Sequence, residues 1–335
     1  MKAAQVEKYN KANISLKIVD VDTPSIGEKD VLIKVLAAGV NPVDNLISRG
    51  EVKMIVSYKL PLIAGNEVVG TVEKIGSQVS NFQVGERVFA RLPLEKIGAF
   101  AQYVSVAEDA LARVPAYLSD VEAAATPLTA LTVMQAYELM RVEAGKTIFI
   151  SGGTGGVGAM AIPIAKAKGL HVITNGSADN EERVKALGAD QFIDYKTQYY
   201  ASLLSDVDYV LDTLGGAQLE KQFSVLKKGG TLVSLRGMPN GAFAKRMGLP
   251  WWKQLLFSFA GRSVDAAAAR YGVNYHFIFV QSNGQQLQEV ADIFEQVKVK
   301  PSIDAVYPFE DINIALDKIA NGHSKGKTVM TMEVK

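Results

Sequence analysis

The first 118 residues carry short apolar runs, rich in branched side chains and separated by glycine and proline. Runs of this length and spacing predict β-strands. We place the clearest of them at residues 31–36, 68–76, 85–90 and 101–106. Several short strands connected in this way favour a small barrel or sandwich.

The pattern changes near residue 119. Ser119 and Glu122 have the spacing of a capping box, and an alanine-rich helical stretch follows to about Arg141, interrupted near Pro127. Strands are then predicted at 147–151, 171–174, 191–194, 207–211, 231–235 and 275–280, with helices at 157–168 and 180–187. This alternation predicts βαβ units around a buried parallel sheet.

The C-terminal region does not continue the βαβ alternation. Residues 287–297 and 309–319 each place their apolar side chains on one helical face, and a strand is predicted at 327–332. We expect this region to return to the first domain. The predicted domains are therefore 1–124 with 286–335, and 125–285.

Residues 243–272 interleave aromatic and aliphatic side chains with lysine and arginine. Three interpretations remain open for this stretch. It could form a lid over a bulky apolar substrate, or a basic amphipathic helix that contacts a membrane. It could also form a helical cover for the sheet or a dimer contact.

Composition narrows the function classes. The 335 residues contain 36 Lys and Arg against 35 Asp and Glu, and the net charge of +1 argues against a general nucleic-acid binder. The chain has no cysteine, which excludes disulfides, thiolate catalysis and every Cys-ligated metal site. The three histidines, His171, His276 and His323, are far apart, so we expect no transition-metal site.

The N-terminal residues carry charge where a signal peptide needs an apolar segment. No uncharged apolar run reaches the length of about 18 residues that a membrane helix needs. We therefore expect a cytoplasmic protein without stable membrane insertion.

A glycine-rich loop follows the predicted strand 147–151. It reads Gly153, Thr154, Gly155, Gly156, Val157, Gly158 and matches the pattern G-x-G-x-x-G directly before a predicted helix. Glycines permit the tight turn, and the helix N-terminus attracts a pyrophosphate. The loop therefore predicts a dinucleotide site.

The next strand bears on the choice of cofactor. NAD sites usually carry an acidic residue about 20 residues past the loop, bonded to the ribose 2′-hydroxyl. Here the strand ends with Thr174, Asn175, Gly176 and Ser177, and Asp179 is interpreted as a helix cap. Ser177, Arg183 and Lys185 could accept a 2′-phosphate. We therefore expect NADPH.

Together these motifs resemble the medium-chain dehydrogenase/reductase superfamily. The resemblance rests on AAGVNPVD at 37–44, GNEVVG at 65–70, VGERV at 84–88, the loop at 153–158 and LGAD at 187–190, with support from residues 98–103 and 326–329. It implies a discontinuous GroES-like β-barrel catalytic domain around a Rossmann domain, a doubly wound parallel α/β sheet, with the active site in the cleft between them.

The same resemblance implies the roles of single residues. Zinc-dependent members bind the catalytic metal through a Cys and a His, and the matching positions here are Asn41 and Asn66, neither of which is a plausible zinc ligand. The chain thus resembles the zinc-independent branch of quinone oxidoreductases and alkenal reductases, with Asn41 and Asp44 near the nicotinamide. Further cofactor contacts are implied for Thr132, Tyr195, Phe279 and Lys327, and a homodimer through the edge strand from Phe277 to Val280.

A site without zinc favours acceptors that need little Lewis-acid help. A quinone or an α,β-unsaturated carbonyl spreads the incoming charge over an enolate, which donors such as the Asn41 amide or the Tyr58 hydroxyl could stabilise. Tyr103 is a second candidate proton donor beside Tyr58. We therefore expect an NADPH-dependent oxidoreductase for such substrates. An enoyl-thioester reductase and a non-catalytic NADPH-binding sensor or crystallin-like protein remain alternatives.

Overall fold

The computed structural model describes residues 1–11, 14–322 and 326–332; His323 lies outside this part of the chain. The chain divides into two compact units. Unit 1 comprises Met1–Leu131 and Gln281–Lys335, and unit 2 comprises Thr132–Val280. The C-terminal residues thus fold with the N-terminal ones. The units change at 131/132 and 280/281, where the sequence placed the domain boundaries at 124/125 and 285/286.

The helices and strands follow the chain in three stretches. Up to residue 140 they are β1 (Lys2–Val6), β2 (Lys17–Asp20), β3 (Asp30–Val40), α1 (Pro42–Arg49), β4 (Leu62–Ile63), β5 (Glu67–Ile75), β6 (Arg87–Arg91), β7 (Tyr103–Ala107), β8 (Ala112–Arg113), α2 (Asp120–Ala124) and α3 (Pro127–Met140). Next come β9 (Thr147–Ser151), α4 (Gly156–Ala167), β10 (His171–Gly176), α5 (Glu181–Ala186), β11 (Gln191–Asp194), α6 (Tyr200–Leu203), β12 (Val207–Asp212), α7 (Leu219–Ser224), β13 (Leu226–Ser234), α8 (Gly241–Arg246), α9 (Trp251–Ala260), α10 (Arg262–Tyr271) and β14 (Asn274–Phe277). The last are α11 (Gly284–Val297), β15 (Ile303–Pro308), α12 (Ile312–Asn321) and β16 (Lys327–Thr331).

Unit 1 is built on two sheets. The larger has the order β15-β16-β3-β5-β6-β8, with β7 also paired to β3, and the smaller has the order β2-β1-β4. β3 is the central strand: it pairs antiparallel with β5, β7 and β16, and most of its residues are buried. Its pairing with β16 brings Val40 opposite Thr328, so the C-terminal strand meets the end of β3. This register places Lys327, at the start of β16, close to the polar residues that follow β3.

Unit 2 is a single parallel sheet in the order β11-β10-β9-β12-β13-β14. The first strand of this unit, β9, is central. β10 and β11 follow on one side of it, and β12, β13 and β14 then follow on the other side, which is the doubly wound Rossmann order. The predicted parallel sheet is confirmed. The order reverses between β10 and β12, on either side of β9, and in such sheets ligands bind beyond the carboxyl ends of the strands at this point.

Two local expectations are corrected. The last strand of this sheet ends at Phe277 rather than at Val280. Its partner β13 ends at Ser234, whose carbonyl accepts the Ile278 N–H, so β13 offers no residue for pairing beyond this point. Asp179 does not cap α5. It lies in a 3-10 turn, and Asn180 is the cap residue.

The capping box at Ser119 and Glu122 is confirmed: the Ser119 hydroxyl accepts from the Glu122 N–H, and the Glu122 carboxylate accepts from the Ser119 N–H. Residues 243–272 form most of α8, α9 and α10, three short helices. In the described part of the chain, no helix combines the length and the apolar character needed to span a bilayer.

Candidate active site

Five polar side chains gather at one place in unit 1, and we call them the polar cluster: Asn41, Asp44, Asn66, Glu67 and Lys327. They come from the end of β3, the first turn of α1, the start of β5 and the start of β16. The first four are at most 3% exposed. Charged groups so deeply buried are rare unless they are paired and hydrogen-bonded, so these side chains need partners within the protein.

Glu67 is the centre of the cluster. Its Oε1 accepts from Asn41 Nδ2 at 2.8 Å and pairs with Lys327 Nζ, and its Oε2 accepts from the Leu128 N–H at 2.8 Å. Leu128 lies in the first turn of α3, where a carboxylate is favoured by the helix dipole. Gly39 makes the arrangement possible, because a Cβ there would lie 2.0 Å from Glu67 Oε1.

Lys327 connects several segments of the cluster. Besides Glu67, its ammonium donates to Asn41 Oδ1 at 2.6 Å and to the Thr129 hydroxyl at 3.3 Å. Asn41 Nδ2 also points to the Gly39 carbonyl at 3.3 Å. Both amide hydrogens of Asn41 are therefore used within unit 1. The sequence suggested Asn41 as an oxyanion donor; in this structure its amide nitrogen donates to Glu67 and to the Gly39 carbonyl, and its oxygen accepts from Lys327.

Asp44 forms a second buried acid beside this network. Its Oδ1 accepts from Asn66 Nδ2 at 2.6 Å and its Oδ2 from the Asn41 N–H at 2.7 Å. Burial raises the pKa of the Asp44 carboxyl to about 7; the two hydrogen bonds oppose this rise, the charge of Glu67 adds to it and Lys327 opposes it. Asn41 and Asn66, at the positions that the resemblance matches with the metal ligands of zinc-dependent members, thus hold two carboxyl groups.

Arg91 is a buried cation that the sequence analysis missed. It ends β6, is 1% exposed, and donates from Nη1 to the Leu92 carbonyl. Its Nε has no partner among the described residues. Burial lowers the pKa of Arg91 to about 10, so the side chain stays charged at neutral pH. The sequence did contain a signal for this burial: Arg91 stands between the apolar residues 88–90 and Leu92.

Tyr58 lies near this cation. Burial raises the pKa of the Tyr58 hydroxyl to about 12, and the charge of Arg91 is the largest influence that opposes this rise. Tyr58 in turn raises the pKa of Arg91, so the two groups are close enough to affect each other's ionisation. At neutral pH both are hydrogen-bond donors. Tyr103 lies half-buried at the start of β7 and belongs to the sheet pairing with Lys34.

The glycine loop of unit 2 lies between β9 and α4, as the sequence predicts. Two of its glycines are needed for packing: a Cβ on Gly153 would lie 1.9 Å from the Thr174 hydroxyl, and one on Gly158 would lie 2.2 Å from the Gly153 Cα. Gly155 and Gly156 differ, because a Cβ on Gly156 meets nothing within 4 Å and one on Gly155 meets only the Gly152 carbonyl, at 3.5 Å.

The open side of Gly155 and Gly156 fits a pyrophosphate. Gly155 is the N-cap of α4, so the first-turn N–H groups of Gly156, Val157 and Gly158 lack acceptors within the helix. Free N–H groups and the positive end of the helix dipole favour an anion there. Thr154 serves the loop itself, because its carbonyl accepts from Arg183 Nη2 at 2.5 Å.

The end of β10 supports the loop from the other side. Asn175 is buried, and its Oδ1 accepts from the Gly152 N–H at 2.7 Å, which makes it a support for the loop. Ser177 accepts from Asn180 Nδ2 at 3.0 Å. Tyr195 is 58% exposed, and its N–H donates to the Gly176 carbonyl, which places it beside the strand tip.

Asp212 is a further residue that the sequence analysis missed. It ends β12, is fully buried, and accepts from the N–H groups of Leu214 and Gly215, from the Gln222 amide and from the Ser234 hydroxyl. It shapes the turn beside the glycine loop. Its signal was an acidic residue at the end of a buried strand.

The implied cofactor contacts, including those of Thr132 and Phe279, remain predictions. Thr132 is half-buried in α3. Phe279 is half-buried two residues beyond β14.

Comparison with known proteins decides the family. Residues 27–116 match the family described as alcohol dehydrogenase GroES-like domain, and residues 187–330 match the one described as zinc-binding dehydrogenase. A mouse protein named NAD(P)H oxidoreductase RTN4IP1, mitochondrial, is 32% identical over 99% of this chain and 89% of its own length. This chain belongs to the medium-chain dehydrogenase/reductase superfamily.

Two further members of the superfamily are similar along nearly the whole chain. The NADPH-dependent alkenal/one oxidoreductase of Arabidopsis thaliana is 30% identical over 98% of this chain and 79% of its own length. The solved structure of the quinone oxidoreductase from Coxiella burnetii is 29% identical, covers 99% of both chains and superposes with a TM-score of 0.81. The predicted family and fold class are confirmed.

The second family description names zinc binding, but this chain has no cysteine thiolate that could act as a zinc ligand. Among the described residues there is no group of three or more His, Cys, Asp or Glu side chains that could hold a metal ion. Asn41 and Asn66 are already bonded to Glu67 and Asp44.

Proposed function

We propose that this chain is an NADPH-dependent, zinc-independent oxidoreductase that transfers hydride to a quinone or to an α,β-unsaturated carbonyl. The observation that carries the proposal is the polar cluster. In a family that often uses zinc, the two ligand positions are amides engaged with buried carboxyl groups, and a buried cation, Arg91, lies among the charges around them. The names of the mouse, Arabidopsis and Coxiella relatives support the same reaction class.

NADPH fits unit 2. The first-turn N–H groups of α4 would hold the pyrophosphate, and the open sides of Gly155 and Gly156 leave room for it. Ser177 and Tyr195, near the tip of β10, would contact the 2′-phosphate, and no carboxylate follows Asn175 before Asp179 to repel it. Bound there, NADPH supplies the hydride.

The reaction needs a place for the negative charge that develops on the acceptor. When hydride adds to the β-carbon of an enone, the electron pair of the double bond moves toward the carbonyl oxygen, and one proton completes the reduction. One hydride and one proton likewise convert a quinone to a hydroquinone. Donors that are already in place and desolvated stabilise such an oxyanion far better than water does.

In our proposal Arg91 and Tyr58 are these donors. Arg91 remains cationic at neutral pH, and its Nε has no partner among the described residues. Tyr58 keeps its proton, because its pKa is raised to about 12. Asn41 and Lys327 act as positioning residues, since their polar groups hold Glu67 in place.

Asp44 supplies a titrating group beside these donors. Its pKa of about 7 leaves it partly protonated at neutral pH, which suits a group that exchanges a proton during turnover. Asn66 holds it in one orientation. Because both carboxyl oxygens of Asp44 already accept hydrogen bonds, from Asn66 and from the Asn41 N–H, we propose that it tunes the charge around Arg91 rather than meeting the substrate.

A substrate panel tests the proposal. The purified protein is mixed with NADPH and a quinone, an enone, an enoyl thioester or a simple aldehyde, and NADPH absorbance is followed. We expect turnover with quinones or enones and little with the aldehyde. Tight NADPH binding with no turnover on any acceptor would contradict the proposal and favour the non-catalytic binding protein. Turnover of the thioester alone would favour the enoyl-thioester reductase.

We also propose a homodimer through the outer edge of β14. This strand ends the six-stranded sheet, and its outer edge has no partner strand among the described residues. Exposed edges of this kind are ready to pair with another chain. Sedimentation at several concentrations tests it: a dimer that Tyr275→Pro dissociates supports the edge contact, and a wild-type monomer contradicts it.

A further inference from the structure

Helix α9 exposes a continuous apolar face. Its members, which we call the α9 apolar face, are Trp251, Trp252, Leu255, Leu256 and Phe259, exposed by 73, 45, 62, 52 and 81%. At about 100° per residue they fall within one sector of about 140° on the helix. Single exposed apolar residues are ordinary, whereas a contiguous patch of large ones marks an interaction surface.

The opposite side of α9 is anchored in unit 2. Phe257 is buried and meets the Phe243 ring edge-on at 5.9 Å, and Phe243 meets Phe277 in the same way at 5.0 Å. Gln254 donates to the Leu249 carbonyl at 2.7 Å. The helix is thus fixed by one face, so the exposure of the other is a feature of the folded protein.

The segment around this face is basic. From residue 241 to 262 it contains Lys245, Arg246, Lys253 and Arg262 and no acidic residue, in a chain whose total charge is +1. Lys253 borders the apolar face, with its ammonium 5.6 Å from the Trp252 ring centre. Arg246 donates to the Phe277 carbonyl, and Lys245 and Arg262 are exposed.

An apolar face with tryptophan and bordering cations is the pattern of a helix that lies in a membrane interface. The ten residues of α9 extend about 15 Å, half the hydrocarbon thickness of a bilayer, so the helix can lie on a membrane and cannot cross it. Cations close to the membrane surface favour anionic headgroups.

A second copy of the chain fits this face less well. Closed dimers bring the same patch of both copies together around a two-fold axis. The basic segment would then face itself, with no acidic residue from 241 to 262 to neutralise it. Like charges placed together in this way oppose association.

We propose that the α9 apolar face binds the surface of an anionic lipid bilayer. The proposal does not depend on the proposed reaction, because it concerns only exposed side chains of unit 2. It gives residues 243–272 a role that the sequence left open among three interpretations. A bilayer would also hold apolar conjugated acceptors close to the protein.

The chain contains its own probe for this surface. Its two tryptophans, Trp251 and Trp252, are both members of the α9 apolar face. Intrinsic tryptophan fluorescence therefore reports on this face alone. We would titrate the protein with vesicles of phosphatidylcholine, and of phosphatidylcholine mixed with phosphatidylglycerol, and sediment the same samples. We expect a blue shift and co-sedimentation with the anionic vesicles, both weakened by salt.

Two variants and a matched control separate the contributions. Leu255→Gln with Phe259→Ser keeps both tryptophans and should abolish vesicle binding. Lys253→Glu should weaken binding to anionic vesicles several-fold. Val306→Gln with Ile314→Gln changes exposed apolar residues of unit 1, 47% and 53% exposed, and should bind as the wild type does.

Three results would overturn the proposal. The first is a wild-type protein that binds neither kind of vesicle. The second is equal binding to neutral and anionic vesicles. The third is a blue shift that follows protein concentration without lipid, with a rise in mass in light scattering that Leu255→Gln with Phe259→Ser reverses and Tyr275→Pro does not; the face would then bind a second copy.

Discussion

The glycine loop and the polar cluster are built in opposite ways. The loop is one uninterrupted segment, and its open glycines leave N–H groups ready for a ligand. The cluster draws on four segments; Glu67 already pairs with Lys327 and Asn41, and Asp44 is already held by Asn66 and the Asn41 N–H. The comparison teaches that the loop is built to receive a group, whereas the cluster is built to hold a fixed charge pattern around Arg91.

The largest expected effect is the loss of stability when the polar cluster is disrupted. In Glu67→Gln the Lys327 ammonium, on a side chain only 12% exposed, loses its buried counter-charge, and removing one partner of a buried ion pair costs about 3–5 kcal/mol. Urea unfolding measures this loss. The double variant Glu67→Gln with Lys327→Met should recover part of the stability. A loss of less than about 1 kcal/mol, the size of an exposed pair, would show that the cluster is not held by this ion pair.

The second effect is a loss of kcat on substitution of Arg91, which lies in the same unit as the polar cluster. In Arg91→Met the buried cation is replaced by an apolar side chain, and urea unfolding checks that the variant is folded before its kinetics are compared. Loss of an oxyanion donor lowers kcat about 100- to 1000-fold. Steady-state kinetics with a quinone and an enone measure it, with Arg91→Lys retaining part of the rate. An unchanged kcat would remove Arg91 from the mechanism.

The third prediction sharpens the difference between the two kinds of loop glycine. Gly158→Ala places a Cβ 2.2 Å from the Gly153 Cα, and overpacking of this kind costs about 1–3 kcal/mol of stability. Gly156→Ala meets nothing within 4 Å, so it should leave stability nearly unchanged and weaken NADPH binding instead. Thermal unfolding and NADPH titration distinguish the two. Equal losses of stability in both variants would contradict the assignment.

The smallest effect concerns Asp44 and pH. Its pKa is raised to about 7 in the folded protein, from 3.8. The folded state therefore keeps a proton that the unfolded chain has lost, and stability falls as the pH rises through 7. Between pH 6 and 8 a group with this pKa removes about 1.4 kcal/mol. Asp44→Asn should lack this part of the fall in urea unfolding; identical pH profiles would contradict the raised pKa.

The sequence predicted the loop well because its signals are local. The strand before it is observed at Thr147–Ser151, as predicted, and the helix starts one residue earlier than predicted. A tight turn that needs glycine at fixed positions leaves its mark within a few residues. The same locality explains the capping box at Ser119, where both partners lie within one turn.

The cluster could be predicted only in part because its bonds are long-range. Asn41, Asp44 and Lys327 were found through the resemblance, but Glu67 meets Lys327 only because β16 pairs with β3, which no local pattern shows. Arg91 was missed because a charged residue at the end of a strand usually faces solvent. The end of β14 was misplaced for a similar reason: residues 278–280 are apolar, but β13 offers no further partner.

Isotope labelling tests the central claim, hydride transfer from NADPH to a conjugated acceptor, most directly. The protein is supplied with NADPH deuterated at C4 of the nicotinamide and with an enone, and the product is examined by NMR and mass spectrometry. Our account predicts one deuterium at the former β-carbon and a solvent proton at the α-carbon, with the rate of formation lowered in Arg91→Met. An enone product without deuterium, or no turnover of either an enone or a quinone while NADPH binds, would contradict it.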